Sequence, residues 1–318
     1  MTRPAALLLA LALALALAAG AARADDAPPR LPDEAPGGRL DAESPVQLTG
    51  TLAKASASGA VTIAYRESSI PFSYLSARGE PIGYSIELCR KLVEAMRVAV
   101  GRPLEIRWLP VTSETRMQAI TSGQADLECG STTSNLERAR TVAFSPTIFV
   151  SGTKLLVKRG SPIRSFRDLA GKTVVVTSGT TNADAMRAIQ KKFGVDFRIV
   201  ASRDHAESFA MVADGKADAF ATDDVLLYGL IAKNGARGKY FVVGEFLSYD
   251  PYGIMFRKGD AQLARLVAET FRGLAEDGEV DRQYQRWFMK KLPAGGSIDL
   301  PMSPQLETLV KAMAAKPE

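Results

Sequence analysis

The chain has 318 residues, 46% of them hydrophobic, a formal net charge of +5, a single His and two Cys. That length holds two modest domains or one large one around a sizeable apolar core. One His and two Cys exclude a His/Cys metal cluster with zinc spacing, and no dense Lys/Arg run interleaved with aromatics supports a nucleic-acid partner.

Arg3 precedes an apolar run at 6–20 and then Ala22-Arg23-Ala24, a small-x-small cleavage site. Residues 1–24 are expected to be a cleaved signal peptide that sends the chain to the periplasm. Losing Arg3 and Arg23 takes the formal charge from +5 to +3. The run is short for a membrane span and no later segment is apolar enough for one, so the mature chain is expected to be soluble. Asp25 follows the cleavage site where a lipid anchor would need a cysteine. Residues 25–50, rich in Pro, Gly and acid, read as a flexible leader.

AVTIAYR at 60–66 predicts a strand from its β-branched run, and GYSIELCRKLVEAMRVAV at 83–100 a helix from its apolar spacing. LEIRWLPV at 104–111 reads as a strand, TRMQAITSG at 115–123 as a short helix stopped by glycine, and ADLECG at 125–130 as a third strand. Strands alternating with helices indicate an α/β fold of parallel βαβ units. Ligands collect at the carboxyl ends of such strands, where Arg66, Ser113 and Ser131 fall.

TIFVSGTKLLVKRG at 147–160 reads as an extended crossing into a second α/β series. That series has strands at 171–177, 197–202, 217–224 and 240–247, with helices at 181–193, 205–215 and 225–233. A second crossing at 252–260 leads to a long helix at 262–275 and to QYQRWF at 283–288, which return to the first lobe. The expected fold is therefore two lobes, 51–149 plus 252–318 and 150–251, with a hinge of two strands and a cleft between them.

Gly179-Thr180-Thr181 stands between a strand and a helix, which suits either an anion site at a helix N-terminus or an ordinary threonine N-cap. Gly130-Ser131-Thr132-Thr133 has the same form in the first lobe, with Arg138 placed one turn into an expected helix. Arg66, Arg116 and Arg138 at one sheet edge call for a ligand with more than one negative group, a dicarboxylate. Asp223 and Asp224 are weak evidence for a metal and better suited to a ligand ammonium. His205 has no nucleophile elbow beside it and reads as a hydrogen-bonding group rather than a catalyst. Cys89 and Cys129 are either a disulfide or two buried apolar side chains.

RESSIPFSY at 66–74, GYSIELC at 83–89, VTSETR at 111–116, ECGSTT at 128–133, VVVTSGTT at 174–181, DHAESF at 204–209 and TDD at 222–224 resemble the glutamate/aspartate-binding periplasmic proteins of ABC transporters. The resemblance spans nearly all of 50–300. It implies that Arg138 binds the ligand α-carboxylate with Thr133, Thr180 and Thr181, that Ser131 and Thr133 accept from the α-ammonium, and that Asp223 neutralises it. It implies that Arg66, Ser113, Arg116 and His205 hold a side-chain carboxylate. The implied protein is a monomer without cofactor or metal that closes on L-glutamate or L-aspartate and presents it to a membrane permease. A dehydratase-type enzyme on the same fold, or a sensory dicarboxylate-binding protein, are the alternatives.

Overall fold

The computed structural model describes residues 47–315. The signal peptide at 1–24 and most of the leader lie outside the described residues. α1 (Gly50–Ser58) begins at the last residue of the expected leader. Its Lys54 ammonium lies 2.7 Å from Asp126, whose other oxygen accepts from the Thr62 backbone N–H at 2.8 Å. Helix and strand are thus joined by residues with no local sequence signal.

The first series runs β1 (Ala60–Tyr65), β2 (Ser68–Ser69), β3 (Ser73–Leu75), β4 (Pro81–Ile82), α2 (Tyr84–Val100), β5 (Glu105–Pro110), α3 (Arg116–Thr121), β6 (Leu127–Glu128), β7 (Val142–Phe144) and β8 (Phe149–Ser151). Then come β9 (Thr153–Lys158), β10 (Thr173–Thr177), α4 (Thr181–Phe193), β11 (Arg198–Ser202), α5 (His205–Ala213), β12 (Ala219–Asp223), α6 (Asp224–Lys233), β13 (Tyr240–Val243), β14 (Asp250–Tyr252) and β15 (Met255–Arg257). α7 (Ala261–Glu276), α8 (Glu279–Tyr284) and α9 (Pro304–Ala314) complete the chain. α2 buries Ile86, Cys89, Leu92, Val93 and Met96, the i, i+3, i+4 stripe its sequence shows, and Gly101 ends it in the left-handed conformation.

Two five-stranded sheets share one plan. In order β5-β1-β6-β15-β7, β1 pairs parallel with β5 and β6 while β15 runs antiparallel to β6 and β7. In order β11-β10-β12-β9-β13, β10 pairs parallel with β11 and β12 while β9 is antiparallel to β12 and β13. The expectation of parallel units holds for three strands per sheet. β7 and β13 point the same way but pair with the one reversed strand of their sheet, β15 or β9, which enters directly from a crossing with no helix to reverse the chain.

The crossings pair with each other, β14 antiparallel to β8. The predicted crossing at 147–160 is thus two strands, broken at Gly152, where an added Cβ would stand 2.3 Å from the Ser248 carbonyl oxygen. Aromatic side chains hold this hinge: Phe72 lies 5.0 Å from both Phe149 and Tyr252, and Phe288 packs 4.9 Å from Phe149, ring centre to ring centre. Cys89 on α2 and Cys129 after β6 form a disulfide with Cα atoms 6.4 Å apart. It crosslinks the helix to the strand that carries the hydroxyl run.

The chain after that run does not form the helix expected there. Residues 129–135 form no helix, with Thr133 bridged to Tyr252, and only a 3-10 turn at Arg138–Arg140 follows. The segment is pinned to the returning hinge strand by Ser134 N–H donating to the Pro251 carbonyl at 2.7 Å, which leaves too little free chain for a longer helix.

Candidate functional site

The carboxyl ends of the parallel strands of both sheets converge on one cavity. β1 leads to Arg66, β5 to Ser113 and Arg116, and β6 to Ser131 and Thr133. Across the cleft β10 leads to Thr180 and Thr181, β11 to His205, and β12 ends at Asp223. The cavity is lined by Ser113, Arg116, Ser131, Thr133, Thr180, Thr181, Asn182, His205, Asp223 and Leu226. Eight of the ten sequence-predicted site residues are therefore in its wall. Arg66 and Arg138 are not among its lining residues.

Arg116 is buried and held from two sides. Its Nη1 donates to Thr132 Oγ1 at 2.8 Å, and that hydroxyl donates onward to Glu128 Oε2 at 2.6 Å. Its Nη2 reaches the Gly179 carbonyl of the opposite lobe at 3.4 Å. Arg138 Nη1 donates back to the Thr133 carbonyl at 2.9 Å, and its Nη2 meets the same Gly179 oxygen at 3.4 Å. Arg66 is 1% exposed, and among the described residues neither of its terminal nitrogens has a hydrogen-bond partner. Burial lowers the pKa of all three guanidinium groups, and for Arg116 the other two add repulsion. All three remain charged, because a guanidinium does not lose its proton in proteins. The charge that faces them from within the first lobe is Glu128, wholly buried and attracting each of them.

The hydroxyls divide into two sets. Ser113 and Ser131 have buried Oγ atoms without partners among the described residues. Thr133 and Thr181 both donate to Asp250 Oδ1, at 3.1 and 2.8 Å, and so tie the lobes to the hinge. Thr180 is the N-cap of α4 by position, yet its hydroxyl donates to the Thr177 carbonyl at 2.7 Å and makes no capping bond. The helix's first N–H groups are therefore not satisfied by the residue an ordinary N-cap would use.

The two aspartates part company. Asp224 accepts from Ser151 Oγ at 2.6 Å and from the Val225 N–H at 2.8 Å, so it braces the hinge. Asp223 lines the cavity, accepts from Asn182 Nδ2 at 2.8 Å and takes a short hydrogen bond from the Tyr252 hydroxyl. Burial, with neighbouring Asp250, pushes its carboxyl up to about 8. His205 is buried, with Nδ1 2.8 Å from Thr177 Oγ1; burial first, then Arg66 and Arg116, hold its pKa well below the usual value. Among the described residues no group of three or more His, Cys, Asp or Glu could hold a metal ion.

Glu128, Thr177, Asn182, Asp250 and Tyr252 are not singled out from sequence, and Thr132 enters there only as part of the hydroxyl run. Glu128 and Thr132 lie inside the ECGSTT motif, and Thr177 and Asn182 flank SGTT, so adjacency was the available signal. Asp250 and Tyr252 had none, because the hinge brings them in from far along the chain.

Residues 61–290 match the bacterial extracellular solute-binding proteins, family 3. The chain belongs to this family. It is 42% identical to the L-glutamate/L-aspartate-binding protein of Pseudomonas aeruginosa, with 85% of this chain and 90% of that protein covered. It is 37% identical to the glutamate/aspartate import solute-binding protein of Escherichia coli, covering 92% of each. Among solved structures, it resembles an ancestral amino acid-binding protein that is a precursor of cyclohexadienyl dehydratase. That match has a TM-score of 0.65 at 28% identity and covers 75% of this chain and 99% of the other. The two-lobed, two-crossing architecture is that of the family.

Proposed function

We propose that the cleft captures L-glutamate or L-aspartate in the periplasm and delivers it, unreacted, to the membrane permease of an ABC importer. The observation that carries this is the gathering of Arg66, Arg116 and Arg138 near one another, with Arg116 and Asp223 both in the wall of one cavity. Burial, and for Arg116 the repulsion of Arg138 and Arg66, disfavours these charges, so an anion entering beside them is stabilised. The named activities of the two relatives at 42% and 37% identity support the same substrate class.

In this assignment Arg138, Thr133, Thr180 and Thr181 take the α-carboxylate at the α4 N-terminus. Ser131 and Thr133 accept from the α-ammonium, and Asp223 ionises to neutralise it. Arg66, Ser113, Arg116 and His205 receive the side-chain carboxylate. The lobes, 51–149 plus 252–318 and 150–251, close about the β8–β14 hinge because ligand contacts from both sides exist together only in the closed form. Residues 1–24 direct export and are removed, and the mature chain acts as a monomer without cofactor.

Calorimetric titration of the mature protein, unfolded and refolded to strip carried-over ligand, tests this with L-glutamate, L-aspartate and L-glutamine. One-to-one heat with both acids and much weaker heat with glutamine is expected. Silence with all three overturns the assignment, and turnover of a bound acid would move the protein to the enzyme class.

A further inference from the structure

The hydrogen atoms around His205 can be counted. Ser202 Oγ lies 3.0 Å from the Asp204 carbonyl, which can only accept, so the one hydroxyl hydrogen of Ser202 is spent there. In the contact between Ser202 and Ser208, Ser208 must then be the donor. Its hydrogen is now used, so Thr177 Oγ1, 2.9 Å away, donates to Ser208. Thr177 in turn has nothing left for His205, 2.8 Å from it, and Nδ1 must carry the hydrogen of that bond. The relay therefore selects the Nδ1–H tautomer of a neutral ring and leaves a lone pair on Nε2, the edge that remains for the cavity His205 lines.

A lone pair is the wrong partner for a carboxylate and the right one for an N–H group. We propose that His205 takes a proton from solvent when an acidic ligand binds, because the Ser202–Ser208–Thr177 relay bars the neutral ring from donating through Nε2. A ligand amide, by contrast, can donate to the neutral ring without proton uptake. The relay residues are positioning residues that make the choice between acid and amide depend on pH. This rests on the proposed acidic ligand and names how the site reads its side chain.

The charges around the ring agree. Burial first, then Arg66 and Arg116, disfavour the charged ring before binding, and a carboxylate among them offsets the repulsion. Asp223 on β12 shares the cavity, and Asp204 caps the ring's own helix with its carboxylate on the Glu207 N–H. Of the other charged groups on strands packed against α5, Arg198 on β11 and Lys158 on β9 are exposed, and Lys154 stacks on Phe246. Glu207, on α5 itself, is exposed and accepts from the Arg203 N–H. The sign follows: affinity for the acid is full below the free-state pKa of His205 and is lost, up to about tenfold per pH unit, as pH rises toward its value in the complex.

His205 is the only histidine in the chain, so nitrogen NMR of protein labelled with 15N-histidine reports it alone. Free protein at neutral pH is expected to show a neutral Nδ1–H ring, the L-glutamate complex a doubly protonated ring, and the L-glutamine complex a neutral one. The glutamate-to-glutamine affinity ratio should fall as pH rises; Asp223 meets the same ammonium in both ligands and cancels from it. Ser208→Ala frees the Thr177 hydroxyl to donate to Nδ1, which should switch the ring to Nε2–H and flatten the ratio against pH. Glutamate heat with a ring that stays neutral, or a free ring already in the Nε2–H form, overturns the inference and leaves the proposed function standing. Absence of any glutamate heat sinks both.

Discussion

Gly179 lies against Glu114 across the cleft so closely that a Cβ on the glycine would stand 2.7 Å from the Glu114 Cα. The same Cβ would be 2.8 Å from the Ser113 carbonyl carbon, while the Gly179 carbonyl receives both Arg116 and Arg138. The glycine of the SGTT motif is thus where the lobes touch. Its positive φ of 71° adds a second reason for the absence of a side chain.

Gly179→Ala should hold the lobes apart and weaken ligand binding at least about tenfold, since a clash of little over 1.4 kcal/mol suffices. Gly171→Ala is the control, with the same φ of 71° and nothing within 4 Å of the added Cβ. Both variants should lose about 1 kcal/mol or more of stability to backbone strain. Only the first should lose affinity by calorimetry and fail to shrink with ligand in small-angle scattering.

Arg116→Ala should weaken L-glutamate about a hundredfold or more, taking roughly 1.5–3 kcal/mol for each hydrogen bond to a charged group. L-glutamine should lose much less, because its side chain brings no charge to the guanidinium. Equal losses for the two ligands would remove Arg116 from the side-chain subsite.

Asp223 gives the free protein a pH dependence of stability. Its folded-state carboxyl is pushed up to about 8, so between the ordinary carboxylate range and pH 8 the folded chain holds a proton that the unfolded chain has released. Stability should therefore fall as pH rises through that window. Asp223→Asn should flatten this part of the Tm-against-pH curve and abolish binding of any ligand with an α-ammonium.

Cys89–Cys129 closes a loop with a sequence separation of 40 residues. In the chain-entropy account a loop of that size is worth about 4 kcal/mol. Replacing both cysteines by serine should lower the urea midpoint accordingly, and reductant should do the same to the native protein while leaving the variant unmoved.

Much of this architecture is legible before any coordinates. The helical stripe of α2, the β-branched runs of β1 and β10, and the glycines ending α2 and α4 are local signals, and each element lies within a few residues of its expected place. The α1 helix was missed because its anchor, the Lys54–Asp126 pair, joins positions far apart in the chain. The helix expected around Arg138 failed for the converse reason, since hydrogen bonds to the distant hinge strand override local propensity.

The sequence by itself determined the two α/β series, the hydroxyl runs after their strands and the residue types of an acidic amino-acid site, because strand ends, glycine turns and charge are properties of short stretches of chain. Only the tertiary structure decided which groups in that site are spoken for. It places Glu128 opposite the arginines, separates Asp223 from Asp224, joins Tyr252 to Asp223 and orders the hydroxyls behind His205. Burial and hydrogen-bond direction set the protonation of these groups, and both arise from partners the chain brings together only when the two lobes and their hinge are folded.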